Sequence, residues 1–301
     1  MSQKIVPNLW FNHNAEEAVN FYVSVFPESS IISTARYPDA SDEGLEDFQR
    51  DLASDILTIE FMLWGKRFTA INAGPEFSPS ASTSFMVNFD PKYDAEASQH
   101  IDDVWQKLAD GGTVRMELGE HPFSKRYGWV QDKYGYNWQL ILTNPEGEDR
   151  PTIIPSLIFG GPVQGRACEA RDYYLEVFKN AREGMVAEYP ADTGPAKAGD
   201  VMFSDFQLEG EWFTAMDSGV EQDATFNEAV SFAVMCEDQD ELDYYWSKLS
   251  AVPESEQCGW CKDKYGVSWQ IVPKNMEELM TRPGAFKVLM NQKNIVIDEY
   301  G

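Results

Sequence analysis

The chain has 301 residues, of which 43% are hydrophobic, and carries 50 acidic against 24 basic side chains, a formal net charge of −26. This length suggests about two domains, and the apolar content argues against a disordered chain because it can fill sizeable cores. The acidity is spread over both halves, and such a negative field disfavours nucleic acid and anionic membrane surfaces as partners.

The N-terminal sequence MSQKIVPNLWF lacks the apolar segment of a signal peptide. No apolar run approaches the roughly 20 residues of a membrane helix. The four cysteines, Cys168, Cys236, Cys258 and Cys261, all lie in the second half, which does not fit a secreted disulfide framework. We therefore expect reduced thiols and a cytoplasmic protein.

In chain order, a short strand at Asn8–Phe11 is predicted first. An amphipathic helix follows in AEEAVNFYVSVF, with apolar residues at i, i+3, i+4, i+7 and i+8. A strand at Ile31–Tyr37 and a hairpin turning at Trp64–Gly65 come next. The plan then repeats, with a strand at Phe85–Phe89, a helix ending in DDVWQKL, and two strands flanking the turn DKYG. In that turn the Asp can cap backbone N–H groups and the Gly favours a positive φ.

The whole order returns after a polar linker at Thr143–Thr152. PNLWF, FTAINAG, SFMV, WQKL and DKYGYNWQ match PSLIF, FTAMDSG, SFAV, WSKL and DKYGVSWQ at offsets of 148, 145, 147, 141 and 131 residues. This pattern indicates a duplicated domain, with copies at 1–147 and 148–301. Strand–helix–three strands, twice per copy, predicts an α+β fold in which helices cover one face of each curled sheet and leave a concave interior.

The matched segments resemble the PhnB-like group of the vicinal oxygen chelate (glyoxalase/bleomycin resistance/dioxygenase) superfamily, a group often described as a 3-demethylubiquinone 3-methyltransferase domain. The resemblance is carried by PNLWFNHNAEEAVNFYVSVFP and GWVQDKYGYNWQ in the first copy, and by NEAVSFAVMCEDQDELDYYWSKL and CGWCKDKYGVSWQIVP in the second. It implies tandem glyoxalase-like domains of paired βαβββ modules that form an open half-barrel. In single-domain relatives two chains pair. Here we expect the pairing to occur within one chain, which is compatible with a monomer.

The resemblance also implies where a divalent metal would be held. Its ligand positions fall on Pro7 and Pro155, near Ser84 and Ser231, and on Gln139 and Gln270. Proline offers no ligand atom, and neutral serine and glutamine are weak ligands for transition metals. The three histidines, His13, His100 and His121, all lie in the first half, so a histidine site in the second copy is excluded. We therefore expect no metal.

Other cofactor motifs are weak or absent. The segment FGGPVQG follows a strand, but its spacing is not that of a dinucleotide-binding loop, and no methyl-donor or phosphate-binding motif occurs. We expect no cofactor. Cys258 and Cys261 have CxxC spacing, but residues i and i+3 of a strand point to opposite faces and would not share an ion.

Equivalent strand positions give the candidate ligand-binding residues. They are Trp10, Asn72, Trp129 and Gln139 in the first copy, and Phe159, Asp217, Trp260 and Gln270 in the second. Aromatic walls with a few amides suit a small, partly planar organic molecule, although the same residues could simply pack a core. Three hypotheses follow. The first is a metal-free small-molecule-binding protein. The second is an enzyme of the lyase, transferase or dioxygenase type that acts on a small organic substrate, either without a metal or with a divalent metal in a non-standard site, and the third is an interaction module with a filled core.

Overall fold

The computed structural model describes residues 3–39, 45, 47–222 and 225–301, with only the backbone described at 47–48. Its strands are β1 (Ile5–Asn12), β2 (Ser30–Arg36), β3 (Ile56–Leu63), β4 (Lys66–Ala73), β5 (Thr83–Phe89), β6 (Thr113–His121), β7 (Ser124–Gln131), β8 (Asn137–Leu142), β9 (Ile153–Phe159), β10 (Arg182–Glu188), β11 (Val201–Leu208), β12 (Glu211–Asp217), β13 (Val230–Cys236), β14 (Trp260–Lys262) and β15 (Ser268–Pro273). Its helices are α1 (Ala15–Val25), α2 (Ala97–Ala109), α3 (Ala167–Val177), α4 (Gln239–Leu249), α5 (Met276–Met280) and α6 (Ala285–Met290). Across the described residues, every helix is too short or too polar to cross a bilayer.

The strands form two mixed sheets, as the α+β prediction requires. The order is β14-β15-β13-β1-β4-β3-β2 in the seven-stranded sheet and β10-β11-β12-β9-β5-β8-β7-β6 in the eight-stranded sheet. Each sheet therefore combines one module from each half: β1–β4 join β13–β15, and β5–β8 join β9–β12. The predicted pairing within one chain is confirmed for the described residues, and neither half closes a sheet by itself. The exact boundary between 147 and 148 stays a prediction.

The two joins between modules are equivalent. β1 runs antiparallel to β13 with Asn8 opposite Ser231, and β5 runs antiparallel to β9 with Ser84 opposite Ser156. An ion pair of the buried Lys66 and the half-buried Glu211 lies between the sheets, where Lys66 Nζ is 2.6 Å from Glu211 Oε2. Lys66 and Glu211 occupy the same place in the two repeats, so this contact marks the pseudo-twofold axis of the molecule.

The fourth module departs from the predicted strand–helix–three strands. After α4 it has only two strands in the described chain, and β14 is three residues long. Residues 250–262 must connect α4 to the second DKYG turn, whereas the longer segment 110–131 connects α2 to the first and contains β6 and β7. The short helices α5 and α6 follow β15 and have no counterpart in the first half.

The four longer helices α1, α2, α3 and α4 pack on one face of each sheet, and the opposite, concave faces are called the hollows below. In α1, the buried residues Ala18, Val19, Tyr22 and Val25 recur at helical spacing, and they share one core with the inward-facing strand residues Leu9 and Phe11. Residues along each strand therefore alternate between the two faces of the sheet, since successive side chains point to opposite sides. One set faces the helices and the other faces the hollow.

The repeated DKYG turn explains much of this core. Asp132 is 3% exposed, and its carboxylate accepts four hydrogen bonds. Two come from the backbone N–H groups of Tyr134 (2.8 Å) and Tyr136 (3.0 Å), one from the Tyr22 hydroxyl (2.7 Å) and one from Trp138 Nε1 (2.8 Å). The turn therefore ties α1 of one module to the last strand of the next.

The second turn repeats this arrangement atom for atom. Asp263 accepts from the backbone N–H groups of Tyr265 (2.8 Å) and Val267 (3.1 Å), from the Tyr174 hydroxyl (2.7 Å) and from Trp269 Nε1 (2.9 Å). The glycines of the two turns have φ of 93° and 90°, as predicted, a conformation that costs glycine little. The motif is repeated because each copy needs the same buried acceptor.

Candidate functional site

A cavity of about 1140 Å³ fills the hollow of the seven-stranded sheet. Its floor is the set of residues on β1, β4, β13 and β15 that point away from the helices, including Val6, Asn8 and Trp10 on β1. Its far wall is formed by α5, α6 and the segment between β4 and β5. The curvature of the sheet makes the hollow, and the C-terminal helices cover the side where the fourth module is shortened.

A polar row crosses the floor at the join between β1 and β13. Asn8 lies between Ser231 on one side and Thr69 on the other, by strand register. Gln270 Nε2 donates to Ser231 Oγ at 2.9 Å. Asn8 is 5% exposed, and its Oδ1 has no hydrogen-bond partner among the described residues. A buried carbonyl oxygen without a partner is costly, so the floor holds an acceptor that its own chain leaves unused.

Two tryptophans, one from each half, form an aromatic wall. The rings of Trp10 and Trp260 are 6.1 Å apart between centroids, with planes at 80°. Trp10 also contacts Phe77 edge-on at 5.0 Å, and its Nε1 donates to the Gly74 carbonyl at 2.8 Å. Both indoles are half-buried and line the cavity. The hydrogen bond fixes the orientation of Trp10, so the wall is preformed.

Three of the eight predicted residues therefore meet in this cavity: Trp10, Trp260 and Gln270. Trp129 and Gln139 lie in the hollow of the other sheet, where they face each other across β7 and β8. Sequence reasoning treated the two halves as separate sites, but each hollow takes residues from both halves. A ligand-binding role for the three cavity residues stays a prediction.

Asn72 and Asp217 were predicted in the hollows and instead lie on the opposite face, beneath helices. Asn72 Oδ1 accepts from the first backbone N–H of α1, that of Ala15, at 3.2 Å. Asp217 Oδ1 likewise accepts from Ala167, the first residue of α3, at 3.1 Å, and its Oδ2 accepts from Val201 N at 3.0 Å. Desolvation raises the pKa of Asp217, opposed by these backbone hydrogen bonds. The F-T-A-x-N/D motif thus encodes a helix-capping residue.

Phe159 is also placed away from the hollow, in the main hydrophobic core against Phe226 and Tyr265. The equivalent of Trp10 in the second half is Ile158, since PSLIF aligns with PNLWF. A slip of one residue along a strand moves the side chain to the other face, which explains the misplacement.

The predicted metal positions shift by the same rule. Pro7 pairs in register with Phe232, and Pro155 with Phe85, both core residues. The neighbours Asn8 and Ser156 face the hollows instead. The donor set is then Asn8, Ser231 and Gln270 in one hollow, and Ser156, Ser84 and Gln139 in the other. These neutral oxygens do not fit a transition metal, and the described residues hold no cluster of three or more His, Cys, Asp or Glu suited to one.

The hollow of the eight-stranded sheet satisfies its own polar row. Gln139 Nε2 donates to Ser84 Oγ at 2.7 Å and Ser156 Oγ at 3.5 Å, and its Oε1 accepts from the Tyr127 hydroxyl at 2.6 Å. An apolar cluster of Met86, Ile154 and Trp212 packs beside this row. This hollow is therefore filled by its own side chains where the other hollow is open.

The linker between the halves contributes to this filling. The guanidinium of Arg150 lies 3.9 Å from the Trp212 ring centroid and 2.9 Å from the buried Asp205 carboxylate. We expect Arg150→Ala to lower the free energy of unfolding by about 2–3 kcal/mol, because Asp205 would keep a buried charge without its partner. Urea unfolding measures this loss. Lys197→Ala, which breaks the exposed pair with Asp192, should change stability by less than about 0.5 kcal/mol.

The two cysteines of the CxxC segment lie in different environments, but not through the predicted alternation along a strand, since Cys258 precedes β14 and has a φ of 53°. Cys258 lines the cavity beside Met290, with the two sulfurs 3.7 Å apart, whereas Cys261 is buried in the main core. Burial raises the pKa of Cys258 to about 11, so it is a weak nucleophile at neutral pH. Neither is part of a disulfide.

Sequence reasoning missed much of the cavity. The residues not predicted are Asn8, the Glu60–Arg67 ion pair (2.6 Å) on the side of β3 and β4 that faces the hollow, and the methionine-rich wall formed by the C-terminal helices. The wall includes Met276, Met280, Phe286, Leu289 and Met290. One signal was available: the repeat offset falls from 141 to 131 between WQKL and DKYG, which indicates a deleted strand and hence an opening that other residues must cover.

Comparisons with known proteins agree with this architecture. The model of the family described as 3-demethylubiquinone-9 3-methyltransferase matches residues 3–141 and 151–272. A putative 3-demethylubiquinone-9 3-methyltransferase, PhnB protein, from Bacillus cereus is 36% identical over 47% of this chain and 100% of its own, with a TM-score of 0.39.

Two further structures are similar over nearly the whole chain. Glyoxalase I from Zea mays gives a TM-score of 0.50 at 10% identity, covering 92% of this chain and 95% of that one. A mutant of the same enzyme gives 0.51 at 10% identity, covering 92% and 96%. At this identity the likeness concerns the fold. No functionally curated protein matches the sequence.

Proposed function

The chain belongs to the PhnB-like family described as 3-demethylubiquinone-9 3-methyltransferase, within the glyoxalase-type fold, and from this premise we propose that it is a metal-free small-molecule-binding protein. The ligand would occupy the cavity of the seven-stranded sheet. The observation that carries this proposal is the pairing of a large preformed hollow with a buried, unused acceptor on its floor, Asn8 Oδ1. A core built only for packing would leave neither.

The chemistry of the lining supports binding more than turnover. Asn8, Ser231 and Gln270 replace the charged ligands that a metal-dependent reaction would use, and the neighbouring thiol of Cys258 is kept protonated by burial. Trp10 and Trp260 offer flat apolar surface, and an apolar wall with a few fixed polar groups is typical of a small-molecule site. The alternative, an enzyme with a metal in a non-standard site, rests on no residue cluster among those described.

Trp260→Leu tests the proposal, with Trp129→Leu at the equivalent position of the filled hollow as the matched control. Compounds that co-purify with the protein are first released by denaturation and identified by mass spectrometry. They are then screened with a small-molecule library and S-adenosylmethionine by thermal shift. We expect a ligand whose affinity falls by about tenfold or more in Trp260→Leu and is unchanged in Trp129→Leu.

Two results would contradict the proposal. One is a stoichiometric transition metal in the purified protein together with metal-dependent conversion of a ligand, which would support the enzyme. The other is equal loss of affinity in both tryptophan variants, because that would place the ligand outside the open hollow.

A further inference from the structure

The two hollows are built from equivalent strands, and they differ in the hydrogen bonds made by their polar residues. In the filled hollow, Gln139 Oε1 accepts from the Tyr127 hydroxyl. The equivalent of Tyr127 is Cys258, since YGWV at 127–130 aligns with CGWC at 258–261. The substitution removes a hydroxyl donor, and Gln270 Oε1 accepts no hydrogen bond from the described residues.

The same contrast holds at the next position. Ser156 receives a hydrogen bond from Gln139 at 3.5 Å, whereas its equivalent Asn8 receives none from the part of the chain that the structure describes. In the open hollow two amide oxygens, the buried Asn8 Oδ1 and Gln270 Oε1, receive no donor from the described residues, whereas the filled hollow supplies donors from its own chain. A ligand that brings N–H or O–H groups would satisfy these oxygens.

The charged residues around the cavity indicate which ligand charge it favours. Among the described lining residues, six carboxylates stand against three guanidinium groups. Glu60 pairs with Arg67 at 2.6 Å and Glu228 with Lys262 at 2.8 Å. The remaining glutamates on the lining, Glu76, Glu254 and Glu277, make no ion pair with a described residue. Together with the net charge of −26, this repels anions and favours cations.

We propose that the open hollow selects planar nitrogen-containing aromatic cations, with the ring against Trp10 and Trp260 and an N–H group donating to Asn8 Oδ1. The proposal rests on the proposed function and names the class of ligand for the same site. Indole faces attract cations, the amide oxygens require a donor, and the acidic lining disfavours carboxylates and phosphates. The filled hollow contains the same kind of interaction within the chain, because the planar cation of Arg150 lies over Trp212 beside Asp205.

Three tricyclic probes of similar shape separate these requirements. 9-Aminoacridine is a planar cation with N–H donors, 10-methylacridinium is a planar cation without them, and acridine-9-carboxylate is an anion. By isothermal titration we expect 9-aminoacridine to bind at least about tenfold more tightly than the carboxylate. Asn8→Leu should weaken 9-aminoacridine by about tenfold, the effect of one buried hydrogen bond, and leave 10-methylacridinium unchanged. Ser156→Ala, at the equivalent position of the filled hollow, should change neither.

Asn8→Asp keeps the acceptor and adds a negative charge, so this variant should bind 9-aminoacridine at least as tightly as the unaltered protein. If Asn8→Leu does not fold, Asn8→Asp is the variant used for the test. The inference is overturned if the carboxylate binds as tightly as 9-aminoacridine, if Asn8→Leu leaves 9-aminoacridine binding unchanged, or if no probe binds. Any of these results leaves the proposed function to its own test, since a neutral or anionic ligand would still lose affinity in Trp260→Leu.

Discussion

Asp263→Ala is expected to lower the free energy of unfolding by about 3–4 kcal/mol. The substitution removes one acceptor and leaves four buried donors without a partner, on Tyr174, Tyr265, Val267 and Trp269. Each unmet donor costs about 1–3 kcal/mol. The expected loss is smaller than the sum of these four costs, because the buried carboxylate is itself unfavourable. Burial raises the pKa of Asp263, and removing its desolvated charge offsets part of the loss.

Urea unfolding of the purified variant measures this effect. Asp132→Ala should lose a similar amount, since its four hydrogen bonds are the same, and Tyr22→Phe, which removes one donor, should lose about 1 kcal/mol. The exposed Asp240 on α4 provides the control, and Asp240→Ala should stay within about 0.5 kcal/mol. If Asp263→Ala behaved like Asp240→Ala, the DKYG turns would be replaceable and their repetition would need another explanation.

Lys66→Glu is expected to lower the free energy of unfolding by about 3–5 kcal/mol, because it places a second carboxylate at a buried position, facing the half-buried Glu211 between the sheets. Lys66 is 6% exposed, and burial lowers its pKa while Glu211 opposes that shift. The double variant Lys66→Glu with Glu211→Lys should recover most of the loss, since it restores an ion pair with its partners exchanged.

The free energy of coupling from this double-mutant cycle is the decisive quantity. Lys92→Glu provides the comparison, since Lys92 pairs with Asp149 at 2.6 Å with both side chains about half exposed. Its cost should remain below about 1 kcal/mol. Failure of the exchanged pair to recover stability would mean that packing around Lys66, and not its charge, holds the sheets at this point.

Most of the fold could be predicted from the sequence because it is written twice. The hairpin turn at Trp64–Gly65, the α1 stripe and the aspartate of DKYG depend on local spacing, and the structure places them as predicted. The pairing of β1 with β13 instead of a strand of its own half depends on contacts more than 200 residues apart, and only the resemblance to two-chain relatives suggested it.

The candidate site was harder to predict, for two physical reasons. A strand position reverses its face with a slip of one residue, so Phe159 was chosen in place of Ile158 and Pro7 in place of Asn8. A polar side chain beside a hollow can also serve the opposite face, as the helix caps made by Asn72 and Asp217 show. Whether Asn8 Oδ1 has a hydrogen-bond partner depends on three-dimensional packing, and no local pattern in PNLWF predicts it.

The placement of β13 beside β1 has a consequence for the order in which the molecule can assemble. During synthesis from the N-terminus, the second and third modules are both available once β12 has emerged, so the eight-stranded sheet can form while β1 still presents an unpaired edge. β1 must wait for β13, and contacts so distant in the chain are slow to form. The ligand-sized hollow is thus the last part of the protein to take shape, and a nascent chain reaches it with an open strand edge that invites misassociation.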